Sequence, residues 1–512
     1  MLALLATLCL SSVASAQATQ PATQPTTQPG FALTVYSTAD PAFDWNGWQQ
    51  QRNSGYYYGN QNAFPGYGVV RETRNVTLEE GRNQTRFTGV AAGIDPTTLQ
   101  FRDFADPATS VLEQSYEYDL LDSRKLLDKF VGQPLKFQGD RTIELLSVSG
   151  GGIVYRDGVD GPIRISNVAD AGGFVSQIEF PDTAGLILEP TLVWDVIARR
   201  GGEHPVQVTY ETGGLTWRAD YSLVTNADDT AVDVGAWVTL VNQSGLSYPD
   251  AKLKLVAGDV QRVTPPGQGA GAYAERRQMV QMAQQMQQFE EKSFFEYHLY
   301  TLGRPTTLKD NSTKQIELFP TVERVPAEKV YVYYGVAEPY RYFSYGGSPN
   351  SNRDLGTQSN QKVDVYLRFK NAEAAGMGIP LPAGKLRVYK RDAADDTLEF
   401  VGEDVLQHTP REETILAKLG SAFDLVGERR QTDFTVDAPG RVITESFEIK
   451  LRNRKTEPVT VIVKEILYRW ANWEITASSH EYEKQDFRTI HIPVEVRPDE
   501  EATVTYTVRY TW

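Results

Sequence analysis

An all-β fold is what the sequence predicts, and three observations carry it. Apolar and polar residues alternate over short runs, most cleanly where Val232, Val234, Ala236, Val238 and Leu240 fall on one face and Asp233 and Thr239 on the other; this is the period of a strand half buried against a core. Turn-forming residues separate such runs at short intervals: Gly213 and Gly214, Asp228 and Asp229, then Gly245, Ser247 and Pro249. The runs lie too close together for the helical crossovers that parallel strands use. Together these predict tandem antiparallel β-sandwich domains, with one long inserted helix and one short helix in the N-terminal domain.

Taken in order, the chain opens on an apolar stretch, Leu2 to Leu10, followed by Ala14-Ser15-Ala16. This reads as a signal peptide over residues 1–16, and the missing basic n-region places the true translation start upstream. The apolar run is far shorter than the roughly 20 residues of a membrane helix, so no transmembrane span is expected after cleavage. Export to the periplasm, cell envelope or extracellular space follows. The single cysteine, Cys9, lies inside this segment, leaving a mature chain without disulfides or thiolate chemistry. Residues 17–68 read as a linker: a Thr/Gln/Pro repeat with nothing to bury, then a Tyr/Gly/Asn-rich segment that is either a disordered spacer or a sticky contact for glycan or partner.

Residues 69–200 form an expected N-terminal β-rich domain. Short alternating runs such as Ile143 and Leu145, or Ile163 and Ile165, flank a helix over 123–131, with Ser123 as cap, Leu126, Leu127, Phe130 and Val131 on one face, and Gly132 as stop. Residues 203–345 begin a second β domain. Trp217 and Trp237 lie there; Trp237, on the second face of its strand, could offer a ligand platform, but both are expected to be packing anchors. Residues 273–295 contain neither Gly nor Pro and repeat Met279, Met282, Met286 and Phe289 at spacings of three and four, which predicts an inserted helix with one apolar face. Residues 361–512 complete a C-terminal β-sandwich, with Val363, Val365, Leu367 and Phe369, then Phe447, Ile449 and Leu451, then Val504, Tyr506 and Val508 on single faces. An outer-membrane barrel alternates too, but needs strands of about 9 to 11 residues, whereas most runs here reach only five to eight.

Several segments together resemble the mucoidy inhibitor A-like family of secreted proteins with a C-terminal domain of unknown function. They include GGLTWRADYSLV, VTLVNQSGLSYPDAKLKLVAGDVQRV, FEYHLYTL, VYLRFKNAEAAGMGIPLPAGKLRVYK, EFVGEDVLQHTP, LGSAFDLVGERR and LRNRKTEPVTVIVKE, and span roughly residues 203 to 512. Better-known relatives carry a long coiled-coil insertion in their N-terminal region, where this chain offers only the short helix at 123–131. The resemblance implies an exported β-rich protein associated with exopolysaccharide or envelope phenotypes, and it implies no catalytic residue.

Candidate chemistry is sparse. A formal charge of −15 without a long Lys/Arg run argues against nucleic acid as a partner. The five histidines form no pair at zinc-ligand spacing, so no metal is expected, and no motif calls for a cofactor. The best cluster is GEDVLQHTPREE, read as one loop, in which Glu403, Asp404 and His408 could act as acid and base or bind calcium; solvated turn residues are the plainer reading. The sequence therefore predicts an exported, non-enzymatic envelope protein that binds surface polysaccharide or envelope proteins. Two alternatives stand beside it. One is a carbohydrate-active hydrolase, requiring two carboxyl groups about 5 to 10 Å apart in a cleft. The other is an adaptor docking through Met279, Met282, Met286 and Phe289.

Overall fold

The alternating runs become strands. In the computed structural model, residues 29–37, 66–117, 127–139, 141–149, 152–158, 160–167, 177–180, 189–258, 289–294, 297–336, 349–357, 359–392 and 394–512 are described. Helix among them is limited to Leu127–Lys129 and a 3-10 turn at Glu373–Ala375, so the protein is all-β. No helix among the described residues is long and apolar enough to cross a membrane.

The first sheet runs in the order Phe289–Phe294, Tyr297–Leu302, Tyr248–Ala257, Gly30–Tyr36, Tyr67–Leu78, Gly202–Gly213, Ile94–Asp103. Two expectations change here. Gly30–Tyr36 falls inside the predicted linker, yet it is a strand whose Leu33 and Val35 are buried, because its short alternation finds partners on both sides. Phe289–Phe294 is a strand, not the end of a helix: Phe289 is buried in the core, paired with Leu302. The rest of the predicted helix, with Met279, Met282 and Met286, lies outside the described residues. Tyr67–Leu78 pairs along its full length with Gly202–Gly213, so a boundary at 200–203 runs through one sheet.

A small sheet, Ile178–Glu179, Pro134–Phe137, Arg141–Ser149, Gly152–Asp157, Ile163–Asn167, has its own core. Leu127 and Phe130 from the helical turn are buried in it, and Gly132 stops that turn with φ 80°, as its sequence predicts. The part of the 123–131 helix before Leu127 lies outside the described residues. A third sheet places Thr191–Ala198 between Gly81–Thr88 and Ser110–Glu117.

The largest sheet runs Leu398–Leu406, Gly384–Arg391, Leu215–Thr225, Ala231–Asn242, Ser312–Tyr334, Lys362–Lys370, Thr414–Asp437, Val442–Asn453, Glu501–Thr511, Trp473–Ser478. Two strands are much longer than any run in the sequence suggests. Ser312–Tyr334 (23 residues) pairs first with Ala231–Asn242 and then with Lys362–Lys370. Thr414–Asp437 (24 residues) pairs first with Lys362–Lys370 and then with Val442–Asn453. They carry the sheet from one core cluster, around Trp217, Tyr221 and Leu240, to a second around Ile449, Val463 and Val508. The first strand of the series leans back on the seventh, where the Lys418 N–H donates to the Asp404 carboxylate.

The two large sheets are mixed, whereas the strand pairs of the two smaller ones are antiparallel throughout. Leu215–Thr225 with Gly384–Arg391, Gly30–Tyr36 with Tyr248–Ala257, and Ser312–Tyr334 with Val459–Ile466 are parallel pairs. The requirement of a long connection still holds, and other strands lie within each of these connections. Strand length also fails as an argument against a membrane barrel, since Gly202–Gly213 and Ala231–Asn242 each have 12 residues. Polarity separates the two instead: the face of Leu215–Thr225 and Gly384–Arg391 away from the core carries Arg218, Asp220, Lys385 and Arg387, whereas lipid demands apolar side chains there.

Candidate functional site

That outward face is the candidate site. Along Leu215–Thr225 the side chains alternate. Trp217, Ala219, Tyr221 and Leu223 enter the core. There the Trp217 Nε1–H donates to the Val256 carbonyl at 3.2 Å, and the Tyr221 hydroxyl, its pKa pushed well above the phenol range by burial, donates to the Pro382 carbonyl at 2.7 Å. Arg218, Asp220, Ser222 and Val224 point the other way. Cross-strand partners share a face, so register completes the surface in rows across the strands: Arg218, Thr239, Gln315; Lys385, Asp220, Trp237, Glu317; Ser222, Arg387, Glu403; and Val224, Tyr389, Phe400.

Trp237 is 44% exposed. The packing role favoured by sequence is therefore wrong for Trp237 and right for Trp217, because one face of the Ala231–Asn242 strand meets the core and the tryptophan stands on the other. At its side is Asp220, 7% exposed. The Thr239 hydroxyl donates to Asp220 Oδ2 at 2.5 Å, and Gln315 Nε2–H donates to that hydroxyl at 3.1 Å.

The ionic contacts around this aspartate are loose. Arg218 Nε donates to Oδ2 at a long 3.3 Å, while Arg387 Nη1 stands 3.8 Å from Oδ1, an atom buried without a hydrogen bond. Glu403 lies 3.5 Å from Arg387 Nε and 3.6 Å from Lys385 Nζ. These last three separations exceed hydrogen-bonding range. At the far end, Tyr389 meets the exposed Phe400 edge-on with centroids 5.8 Å apart. Strand rise and spacing put this pair about 16 Å from Trp237, diagonally across the polar floor.

The acid-base cluster expected around His408 does not assemble. Glu403 and Asp404 sit on the Leu398–Leu406 strand, not in a loop, so consecutive side chains take opposite faces. Glu403 joins the outward face. Asp404 turns to the Thr414–Asp437 strand, its oxygens accepting from the Val405 and Lys418 N–H groups at 2.8 and 2.7 Å. His408 lies beyond the strand, its Nδ1 accepting the Ala383 N–H at 3.1 Å. Glu412 accepts from Lys370, whose hydrogen bond holds its pKa below the usual range. Among the described residues no group of three His, Cys, Asp or Glu side chains could hold a metal. A hollow between Thr489–Val496 and Glu501–Thr511 brings together Glu495, Glu500 and Glu501 without an aromatic wall.

A second concentration of charge is buried in the C-terminal core. Arg429 Nε donates to both Glu465 oxygens at 3.1 and 3.0 Å, and its Nη1 to the Gly356 carbonyl at 3.0 Å. The Tyr506 hydroxyl donates to Glu465 Oε2 at 2.5 Å. Arg469 pairs with Glu445 at 2.6 Å and donates to the carbonyls of Asn350 and Asn352 at 2.8 Å each. None of these four charged side chains is more than 1% exposed. Burial is the largest influence on Arg429 and opposes its charge, but Glu465, Tyr506 and Tyr468 together outweigh it and hold the pKa well above its ordinary value; the same burial, with Glu465 alongside, pushes the Tyr506 phenol well up. The partners are the chain's own, and they fasten residues 349–357 to the sheet. This cluster is structural.

Sequence reasoning missed Asp220, Arg218 and Arg387. Their signal was present in the alternation of Leu215–Thr225, but their convergence depends on a parallel neighbour that sequence did not foresee. Compared with known proteins, the chain matches no family model, and no curated protein matches it.

Proposed function

We propose that this chain is an exported, non-enzymatic cell-envelope protein that binds surface polymer on the face bearing Trp237. One observation carries the reading: an indole 44% exposed in the middle of a sheet, ringed by hydrogen-bonding side chains held at fixed cross-strand positions. Large aromatics are normally drawn into cores, so an exposed one on a rigid, polar-rimmed face is what a recognition surface requires. The second aromatic group, Tyr389 with Phe400, suits an extended ligand better than a small one. The resemblance to the mucoidy inhibitor A-like family supports an envelope role, and the sharing of core clusters between sheets supports tandem β-sandwich architecture. The separation of Glu403, Asp404 and His408 favours binding over hydrolysis.

The test is a pull-down of glycans and envelope extract by the full chain and by Trp237→Ala. Capture of polymer that is lost in the variant, with unchanged thermal unfolding, supports the reading. Capture that is indifferent to Trp237, or no capture, disposes of it.

A further inference from the structure

Granting that polymer binds at Trp237, we infer that the polymer is a neutral, hydroxyl-rich glycan of pyranose rings, and that Asp220 and Arg387 together select it. Charge balance comes first. The cations of the face are Arg218, Lys385 and Arg387, and each stands within 4 Å of Asp220 or Glu403; Glu317 adds a third carboxylate beside Trp237. An acidic sugar would have to displace these carboxylates from their partners or sit against them, and like charges brought together at an interface are strongly disfavoured. The formal charge of −15 repels a polyanion at longer range as well.

The spacing of the ion pairs points the same way. Some exposed and half-exposed pairs elsewhere close tightly, as Lys329 and Lys390 do on Asp229 at 2.6 and 2.7 Å, while others stand apart, as Lys450 does from Glu501 at 3.4 Å and Arg454 from Asp499 at 4.0 Å. On this face the pairs that Asp220 and Glu403 make with Arg218, Lys385 and Arg387 stand at 3.3 to 3.8 Å. A hydroxyl is donor and acceptor at once, so one inserted between Arg387 and Asp220, or between Lys385 and Glu403, accepts from the cation and donates to the carboxylate. Both bonds are charge-assisted. Asp220 Oδ1 would gain the hydrogen bond that it lacks, and Arg387, whose side chain is 36% exposed, has room to swing aside and admit the hydroxyl.

Ring shape completes the match. A pyranose with equatorial hydroxyls has an apolar C–H face to lay on the Trp237 indole and hydroxyls around its rim to reach the neighbouring side chains. A chain of such rings can extend about 16 Å to Tyr389 and Phe400. A β-linked, gluco-configured polymer has this form.

The experiment measures binding of the full chain to a soluble neutral β-glucan and to polygalacturonate, by calorimetry and by affinity electrophoresis. The expected result is glucan binding and no polygalacturonate binding. Trp237→Ala and Arg387→Ala should each weaken glucan binding about tenfold or more, the scale of a central contact. Asp220→Asn, which keeps the shape but not the charge, should do likewise while the melting temperature controls for folding; Arg387→Gln provides a second variant if Asp220→Asn unfolds. Preferential binding of polygalacturonate, abolished by Trp237→Ala, would overturn the neutral-glycan inference and leave the polymer-binding face intact. Glucan binding untouched by Asp220→Asn and by both Arg387 variants would remove these residues as selectors. Failure to bind either probe, together with failure to capture envelope polymer, would overturn the site itself.

Discussion

The face around Asp220 and the buried cluster around Arg429 use the same chemistry, guanidinium against carboxylate, to opposite ends. Around Asp220 the pairs stand 3.3 to 3.8 Å apart beside a solvent-exposed indole. Around Arg429 and Arg469 they close to 2.6 to 3.1 Å, with side chains no more than 1% exposed. Water makes the difference. Where water competes, a pair contributes little to stability and its groups stay available to a ligand. Where it is excluded, each charge depends on its partner and neither can be spared.

The sharpest way to break this contrast is Arg469→Ala. It leaves Glu445 buried without its cation and frees the carbonyls of Asn350 and Asn352, so a loss of about 3–5 kcal/mol is expected. Chemical denaturation would measure it, and faster proteolysis at residues 349–357 should accompany it. Replacing both partners, Arg469→Met with Glu445→Leu, should recover much of the loss; no recovery would mean that the carbonyl contacts, not the ion pair, hold the segment.

Next in size is Gly427→Ala. A Cβ there would stand 2.1 Å from the Tyr333 ring, and overpacking of this kind costs about 1–3 kcal/mol. Gly335 is comparable: its Cβ would meet Glu465 Oε1 at 2.1 Å. A melting temperature unchanged by either substitution would show that the cluster is less tightly packed than its contacts indicate.

On the open face the sign of the comparison reverses. Arg387→Ala and Glu403→Gln should change stability by no more than about 0.5 kcal/mol, as read by the same denaturation curves, while polymer binding falls. A larger stability loss would place this face with the structural cluster.

Smallest is a pH effect at Asp229, between the two extremes. Burial alone would raise its pKa, but hydrogen bonds from Lys329 and Lys390 outweigh burial and hold it below the usual range. A depressed carboxylate contributes stability that is full above its unfolded value of about 3.9 and is lost as pH falls through the lower folded value. Asp229→Asn should therefore flatten the decline of melting temperature below that point. An unaltered acid limb would show that other carboxylates govern it.

How much was legible can be read from single residues. Val232, Val234, Ala236, Val238 and Leu240 are all buried, as their alternation requires, and Trp237 was placed on the correct face without its exposure being foreseen. Gly30–Tyr36 was hidden by the Thr/Gln/Pro composition around it. Phe289 fitted a helical spacing, yet strand pairing claimed it. Glu403, Asp404 and His408 are close in sequence, but a strand sends the first two to opposite faces and ends before the third.

The sequence by itself determined which stretches are strands and which side chains share a face, since both follow from local geometry with a period of two. It also determined the turns and the acidic balance. Only the tertiary structure decided what covers each face. That depends on which distant strands become neighbours: the parallel approach of Gly384–Arg391 brought Arg387 to Asp220, and the Ala231–Asn242 strand buried one of its faces while leaving Trp237 on the other. Alternation specifies two sides of a strand equally well, and only the packing of sheets tells them apart.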